Sequence, residues 1–120
     1  MTESYDINPD VKYEPLVLID IAAEAAAHAP WYNQPLTRVN DSVVRLGVIE
    51  GEFHWHKHDA EDEFFLVVDG ELIIELEGEP VRLGPNQCFT VPKGVLHKTS
   101  APTRTVIVMV EPADVIATGD

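Results

Sequence analysis

The fold-deciding stretch of this 120-residue chain is residues 51–70, which read GEFHWHKHDAEDEFFLVVDG. The stretch begins and ends with glycine, carries His54, His56 and His58 at alternate positions, and then places Glu63 at the start of an apolar run. Side chains at alternate positions of a β-strand point to the same face of the sheet. If the histidines lie on one strand, their imidazoles share a face, and the short acidic turn that follows folds Glu63 back beside them.

A fourth histidine of this set, His97, follows Pro92-Lys93-Gly94, a combination typical of a tight turn. That turn would reverse the chain at the same end of a small barrel and bring His97 towards His56, His58 and Glu63. Neutral imidazole and carboxylate are ordinary ligands of divalent transition metals. Three nitrogens and one oxygen leave one or two coordination positions open, as catalysis requires. We therefore predict that these four residues hold one divalent metal ion.

The chain from Val43 onward consists of short runs rich in Val, Ile, Leu and Phe, separated by Gly, Pro, Asn and Asp. Many short strands with tight turns are typical of an all-β sandwich or barrel. Asp69-Gly70, between two such runs, predicts a β-hairpin. The predicted strands are 43–50, 52–58, 63–68, 71–77, 80–83, 87–91, 96–100 and 104–111.

Strong helix propensity is confined to residues 21–27, which are mostly alanine. Asp20 is placed to cap the start of this helix, and Pro30 ends it. We expect one or two helical turns here. The run 16–19, just before the helix, is predicted to be a short β-segment.

Three regions are expected along the chain. Residues 1–14 are polar, contain Pro9 and lack periodicity, which favours a flexible arm or one exchanged with a second copy. Residues 15–112 form the barrel, and residues 113–120 form a polar C-terminal tail.

Composition excludes several classes of function. Eight Lys and Arg against 21 Asp and Glu give a net charge of −13, which argues against nucleic acid or an anionic membrane as a partner. The single cysteine, Cys88, forbids an internal disulfide, and nothing implies an oxidising compartment. No apolar run approaches the roughly 20 residues of a membrane helix, and no secretory signal is visible. We expect a cytoplasmic protein.

Residues 51–70 and 84–97 resemble the two sequence motifs of the cupin superfamily. The first motif, G-x5-H-x-H-x3,4-E-x6-G, is matched by Gly51, His56, His58, Glu63 and Gly70. The second motif is matched by Gly84, Pro92, Gly94 and His97. Two departures are that four residues, instead of five, separate Gly51 from His56, and that Ala101 stands where the second motif ends in Asn.

The resemblance is to small single-domain cupins of the mannose-6-phosphate isomerase-like group. It implies a double-stranded β-helix, or jelly roll, whose metal ligands face the barrel interior. It also implies a homodimer in which the N-terminal strand is exchanged or packed across.

Three functions are compatible with these residues. The first is a metal-dependent enzyme, of dioxygenase or isomerase type, that acts on a small organic molecule bound to Fe, Mn, Ni or Zn. The second is a non-catalytic module that binds a metal or a small molecule. The third is a metal-free isomerase with His97 as the base. His54 is either a substrate-binding residue or a polar residue of the barrel rim. The identity of the substrate stays open.

Overall fold

A computed structural model describes residues 6–114 and Gly119. About half of the described part of the chain is β-strand, in agreement with the predicted all-β class, and the helix in this part is short. The elements are β1 (Asp6–Ile7), α1 (Ile21–Ala26), β2 (Tyr32–Val39), β3 (Ser42–Glu52), β4 (Glu63–Asp69), β5 (Leu72–Glu75), β6 (Val81–Leu83), β7 (Cys88–Val91) and β8 (Lys98–Pro112). No helix of this part is long and apolar enough to cross a membrane.

The long strand β8 organises the sheet. It pairs antiparallel with β3, β4 and β5. The other pairs are β2 with β3, β4 with β7 and β5 with β6, all antiparallel, and β1 with β2 in parallel. The first residues of β8 contact β5 and its last residues contact β4. One strand thus connects both walls of the barrel.

Two apolar clusters stabilise this arrangement. The first fills the barrel interior and includes Phe65 and Val67 of β4 together with Ile107 and Met109 of β8. These side chains alternate with less buried ones along their strands, as expected when one face of a strand is turned to the core. The second cluster lies on the outer face of the sheet, where Ala25 of α1 packs with residues of β2, β3 and β8.

Helix α1 agrees with the sequence prediction. The Oδ1 atom of Asp20 accepts a hydrogen bond of 3.0 Å from the backbone N–H of Ala23, which is the predicted N-cap. The run 16–19 before the helix was predicted as a β-segment, and this is wrong. Leu16 has a positive φ of 70° in a turn, and Leu16 and Leu18 are almost fully exposed, so the apolar run contributes little to the core.

Three further sequence predictions need correction. Residues 53–58 do not form a strand; His56 alone makes an isolated bridge, to His97. Strand β2 was not predicted, because Pro35 lies within it; the register shifts there, and prolines in sheets are confined to edges and bulges. The Asp69-Gly70 turn exists, but the strands on either side of it, β4 and β5, each pair with β8. The turn therefore connects two walls of the barrel and does not form the predicted hairpin.

The predicted N-terminal arm and C-terminal tail stay predictions. Residues 1–5, 115–118 and 120 lie outside the described residues. Within the described part, Asp6 and Ile7 pair with Tyr32 and Asn33 of the same chain.

Gly70→Ala is expected to destabilise the protein more than Gly51→Ala does. Both glycines have φ near +90°, so a side chain strains both. A Cβ atom at Gly70 would also lie 2.8 Å from Thr105 Cα and 2.9 Å from the Arg104 carbonyl oxygen, whereas one at Gly51 meets nothing within 4 Å. We expect a cost of about 1 kcal/mol at Gly51 and about 3 kcal/mol or more at Gly70. Urea unfolding of both variants measures this, and equal costs would contradict the packing described here.

Candidate metal centre

Three of the four predicted ligands, the histidines, surround a carboxylate oxygen of the fourth, Glu63. The Oε1 atom of Glu63 lies 3.2 Å from Nε2 of His97, 3.5 Å from Nε2 of His58 and 4.0 Å from Nε2 of His56. All four side chains are buried, with relative exposures between 1% and 8%. His97, which follows His58 by 39 residues and His56 by 41, is therefore brought to the same point inside the barrel as these two histidines.

Backbone hydrogen bonds position these ligands. His56 and His97 each donate an N–H to the other's carbonyl oxygen at 2.9 Å, which holds the two residues side by side. The carbonyl oxygen of His58 accepts from Gly94 N–H at 2.8 Å, so the turn before His97 is tied to the same segment. Glu63 is the first residue of β4 and faces inward with Phe65. A single bridge and a turn, and not the predicted regular strand, thus bring the histidines together.

Hydrogen bonds at Nδ1 fix the orientation of two rings. Nδ1 of His56 lies 3.0 Å from the carbonyl oxygen of His54, and Nδ1 of His97 lies 3.0 Å from that of Val95. A carbonyl oxygen only accepts, so Nδ1 carries the proton and, in the neutral ring, Nε2 is left with a lone pair. Burial lowers the pKa of His56 to about 4, which keeps that ring neutral. Both Nε2 atoms therefore present lone pairs towards Glu63.

Glu63 is held in its charged form. Burial on its own would raise the pKa of this carboxyl, but the polar groups of His58, His97 and Glu111 around it together lower the pKa below the usual range. A carboxylate oxygen and neighbouring imidazole lone pairs repel one another unless a second proton on the ring or a metal cation lies between them. The donor set of nitrogen and oxygen fits a divalent transition metal in that position.

Glu111 of β8 lies in the same place and was not predicted from the sequence. The donor atoms of His56, Glu63 and His97 lie within 4.8 Å of one another, and so do those of His58, Glu63 and Glu111. Glu63 is thus common to two groups of donors. A signal was present in the sequence, because a glutamate at an inward position of the apolar strand β8 is unusual.

Arg45 of β3 is the partner of Glu111. Its Nε donates to Oε1 of Glu111 at 2.8 Å, and its Nη1 donates to Oδ1 of Asn33 at 3.0 Å. The side chains of Arg45 and Glu111 are only 5% and 1% exposed. Burial, followed by the nearby charge of Glu63, raises the pKa of Glu111 to about 8.

The metal-free protein is expected to lose stability as the pH rises from 6.5 to 8. The pKa of Glu111 is about 8 in the folded state against 4.5 ordinarily, so the folded state holds the extra proton in this range. The free energy of unfolding then falls as the pH rises, by about 2 kcal/mol. The pH range begins at 6.5 because this is the ordinary pKa of histidine. Above it His56 is neutral in both the folded and the unfolded state and changes the pH dependence little. Urea unfolding at several pH values measures the slope, and an unchanged slope in Glu111→Gln would contradict its assignment to this residue.

A cleft opens beside these residues. Its apolar wall consists of Trp31, Ile49, Phe53, Phe65, Ile107 and Met109, and its polar lining includes His56, Glu63 and Glu111. The cleft has a volume of about 40 Å³, room for about three water molecules. His54, the predicted substrate-binding residue, is exposed beside the cleft, with its ring centroid 4.1 Å from that of Phe53.

A family model described as the cupin domain, Cupin_2, matches residues 42–111, which is more than half of the chain and includes the whole candidate metal centre. The chain belongs to the cupin family. The match extends from the start of β3 almost to the end of β8, so it covers most of the barrel.

Individual relatives agree with this assignment. The chain is 42% identical over 80 residues to the uncharacterized protein YdbB of Bacillus subtilis, covering 66% of this chain and 71% of YdbB. A crystal structure of a cupin-2 domain containing protein from Shewanella frigidimarina has a TM-score of 0.76 at 31% identity, covering 79% of this chain and 94% of that one. An RmlC-like cupin from the same organism has a TM-score of 0.60 at 23% identity, covering 68% and 74%, and shows the fold alone.

The predicted cupin jelly roll is thereby confirmed. The narrower resemblance to the mannose-6-phosphate isomerase-like group stays a prediction, since the family match does not distinguish such groups. YdbB, described as uncharacterized, brings no activity to this cupin.

Proposed function

We propose that this cupin is a metal-dependent enzyme of dioxygenase or isomerase type that acts on a small organic molecule. The observation that carries the proposal is that the Nε2 atoms of His56, His58 and His97 surround Oε1 of Glu63 at 3.2–4.0 Å. This group lies at the side of an apolar cleft. A ligand set that leaves a coordination position open next to a cleft is what a catalytic metal site needs.

The residues would divide the work as follows. His56, His58, Glu63 and His97 would hold Fe(II), Mn(II), Ni(II) or Zn(II), which supplies Lewis acidity or, for iron, oxygen activation. The hydrogen bonds at Nδ1 of His56 and His97 keep those rings in one orientation and one tautomer. The aromatic wall of the cleft excludes water from one side of the site.

The cleft favours a small, flat and largely apolar substrate with an oxygen that can bind the metal. Its volume of about 40 Å³ leaves little room for a bulky or branched group. Trp31 and Phe53 form part of the wall with ring centroids 5.5 Å apart, a surface against which a planar ring or enol can pack. Catechols, β-diketones and their enols are planar and carry such an oxygen, and part of these molecules would extend out of the cleft. His54, exposed at the entrance, is proposed to contact the part of the substrate that extends out of the cleft.

A non-catalytic binding module is the second candidate, since a metal site and an apolar cleft serve binding as well as turnover. The experiment uses tag-free protein loaded separately with Fe(II), Mn(II), Ni(II) and Zn(II), and mixed with a panel of catechols, diketones and thiols. Oxygen uptake and product mass are recorded for each pair. Turnover that is lost in His56→Ala and in chelated protein supports the enzyme. Saturable binding without turnover over the whole panel would contradict it, and turnover that survives chelation would support the metal-free isomerase.

We also propose that this cupin is a cytoplasmic homodimer. Leu16 and Leu18 are 107% and 95% exposed, and exposed apolar side chains on one loop support burial against another copy. Sedimentation equilibrium tests the proposal, and a monomer at micromolar concentration would contradict it.

A further inference from the structure

One buried oxygen of Glu111 has no hydrogen-bond partner in the described part of the chain. Oε1 of this carboxylate accepts from Nε of Arg45, whereas Oε2 is the atom left over. The side chain is 1% exposed, so solvent does not replace the missing partner. A buried polar atom without a partner costs roughly 1–3 kcal/mol, more for a charged group. An orphaned carboxylate oxygen at such a position indicates a ligand that the chain itself does not provide.

The neighbours of Glu111 indicate that this ligand is a cation. Phe64 of β4 pairs with Val110 of the antiparallel strand β8. Glu63, just before Phe64, and Glu111, just after Val110, therefore lie side by side. Glu111 also has a donor atom within 4.8 Å of those of Glu63 and His58. Glu63 and Glu111 are two buried carboxyl groups that have one guanidinium, that of Arg45, beside them, so both can be ionised together only when a second cation lies nearby. Buried charges in proteins are paired or coordinate metals.

We propose that Glu111 is a fifth protein ligand of the metal ion, and that Arg45 is the residue that positions it. The proposal rests on the metal-binding part of the function proposed above and not on catalysis. Ligands of one divalent ion at about 2.1 Å lie up to about 4.2 Å apart. Because the donor atoms of His58, Glu63 and Glu111 lie within 4.8 Å of one another, at most a small side-chain rotation brings Glu111 into the coordination sphere. Arg45, itself fixed by Asn33, prevents the carboxylate from turning away.

A second carboxylate changes which metal the site prefers. Three imidazoles and one carboxylate suit zinc, nickel and iron, whereas each added carboxylate favours the harder ion Mn²⁺. The site with Glu111 therefore has three nitrogen and two oxygen donors, and one position remains open for a substrate in an octahedral ion. The contribution of Glu111 should thus be larger for Mn²⁺ than for Zn²⁺.

The first test compares Mn²⁺ and Zn²⁺ affinities of wild type, Glu111→Gln and Glu50→Gln by competition with a chelator. Glu50 is an exposed carboxylate on β3, so its variant controls for the loss of one charge. Glutamine can still accept from Arg45, which preserves the local structure. We expect Glu111→Gln to weaken Mn²⁺ binding by about tenfold or more and Zn²⁺ binding by about threefold or less. Equal losses for both ions, or a loss matched by Glu50→Gln, would overturn the proposal.

The second test needs no variant. In crystals of wild-type protein grown with Mn²⁺, a Glu111 oxygen is expected about 2.0–2.3 Å from the ion, in the range of the other donors. A bound ion separated from Glu111 by a water molecule or by more than about 3.5 Å contradicts direct ligation. That result would reject Glu111 as a ligand but would not affect the proposed enzymatic function. Ligation by Glu111 without turnover of any substrate would reject the enzymatic function and retain Glu111 as a ligand.

Discussion

His97→Ala should lower the affinity for a divalent metal by roughly a thousandfold or more, beyond the 10- to 100-fold that loss of an outer partner costs. Two effects combine in this variant. The first is the loss of one nitrogen donor. The second is that the buried carboxylate of Glu63 loses its nearest imidazole nitrogen, which lies 3.2 Å from Oε1 in the wild type. Isothermal titration with Mn²⁺ and Zn²⁺, at one pH and after removal of bound metal, measures the change.

His54→Ala is the matched control for that prediction. His54 is an imidazole in the same segment, but it is exposed, and its hydrogen bond to His56 is made by its carbonyl oxygen, which the substitution preserves. Its variant is expected to keep the metal affinity within about threefold of wild type, while raising KM once a substrate is known. Equal losses of metal affinity in the two variants would mean that the histidines act through fold stability and not as ligands.

Arg45→Met should destabilise the metal-free protein by about 3 kcal/mol, the lower end of the cost of breaking a buried ion pair. The reason is that Glu111 keeps its place in the barrel with neither oxygen paired. The cost is limited because the pKa of this carboxyl is raised to about 8, so Glu111 is already mostly protonated at pH 7. Urea unfolding at pH 7 gives the change in the free energy of unfolding.

Two further variants make the Arg45 result interpretable. Arg82→Met removes an exposed guanidinium that lies 3.6 Å from Glu71, and is expected to cost less than about 0.5 kcal/mol. The double variant Arg45→Met/Glu111→Leu replaces both members of the buried pair by apolar groups, and should regain most of the lost stability. A double variant as unstable as the single one would show that Arg45 acts through packing and not through its charge.

The barrel could be predicted from the sequence because its strands are short, apolar and separated by turn residues. Most of β3 and β4 was predicted close to the observed bounds on this basis, whereas β8 is one continuous strand where two strands, 96–100 and 104–111, were predicted. The segment 52–58 was not, since alternate histidines have the periodicity of a strand although only His56 is paired. Strand β2 was missed for the opposite reason, because Pro35 is unfavourable in a strand although the segment is paired with β3. Period and propensity report what a segment can form, whereas its neighbours in the fold decide what it does form.

The candidate site was predictable in part, and the limit is physical. His56, His58, Glu63 and His97 stand in a spacing that indicates metal ligands, and the structure brings them around one oxygen. Arg45 and Glu111 were missed. They are 66 residues apart, and only the pairing of β3 with β8 brings them together. A single charged residue in an apolar run does not reveal its partner.

The central claim is that His56, His58, Glu63 and His97 hold one divalent ion inside the barrel. An anomalous difference map from crystals of tag-free protein loaded with one equivalent of Mn²⁺ tests it most directly. We expect a single peak about 2.0–2.3 Å from Nε2 of each histidine and from a carboxylate oxygen of Glu63. A peak elsewhere, or no ordered ion with the four side chains placed as they are here, would contradict the account.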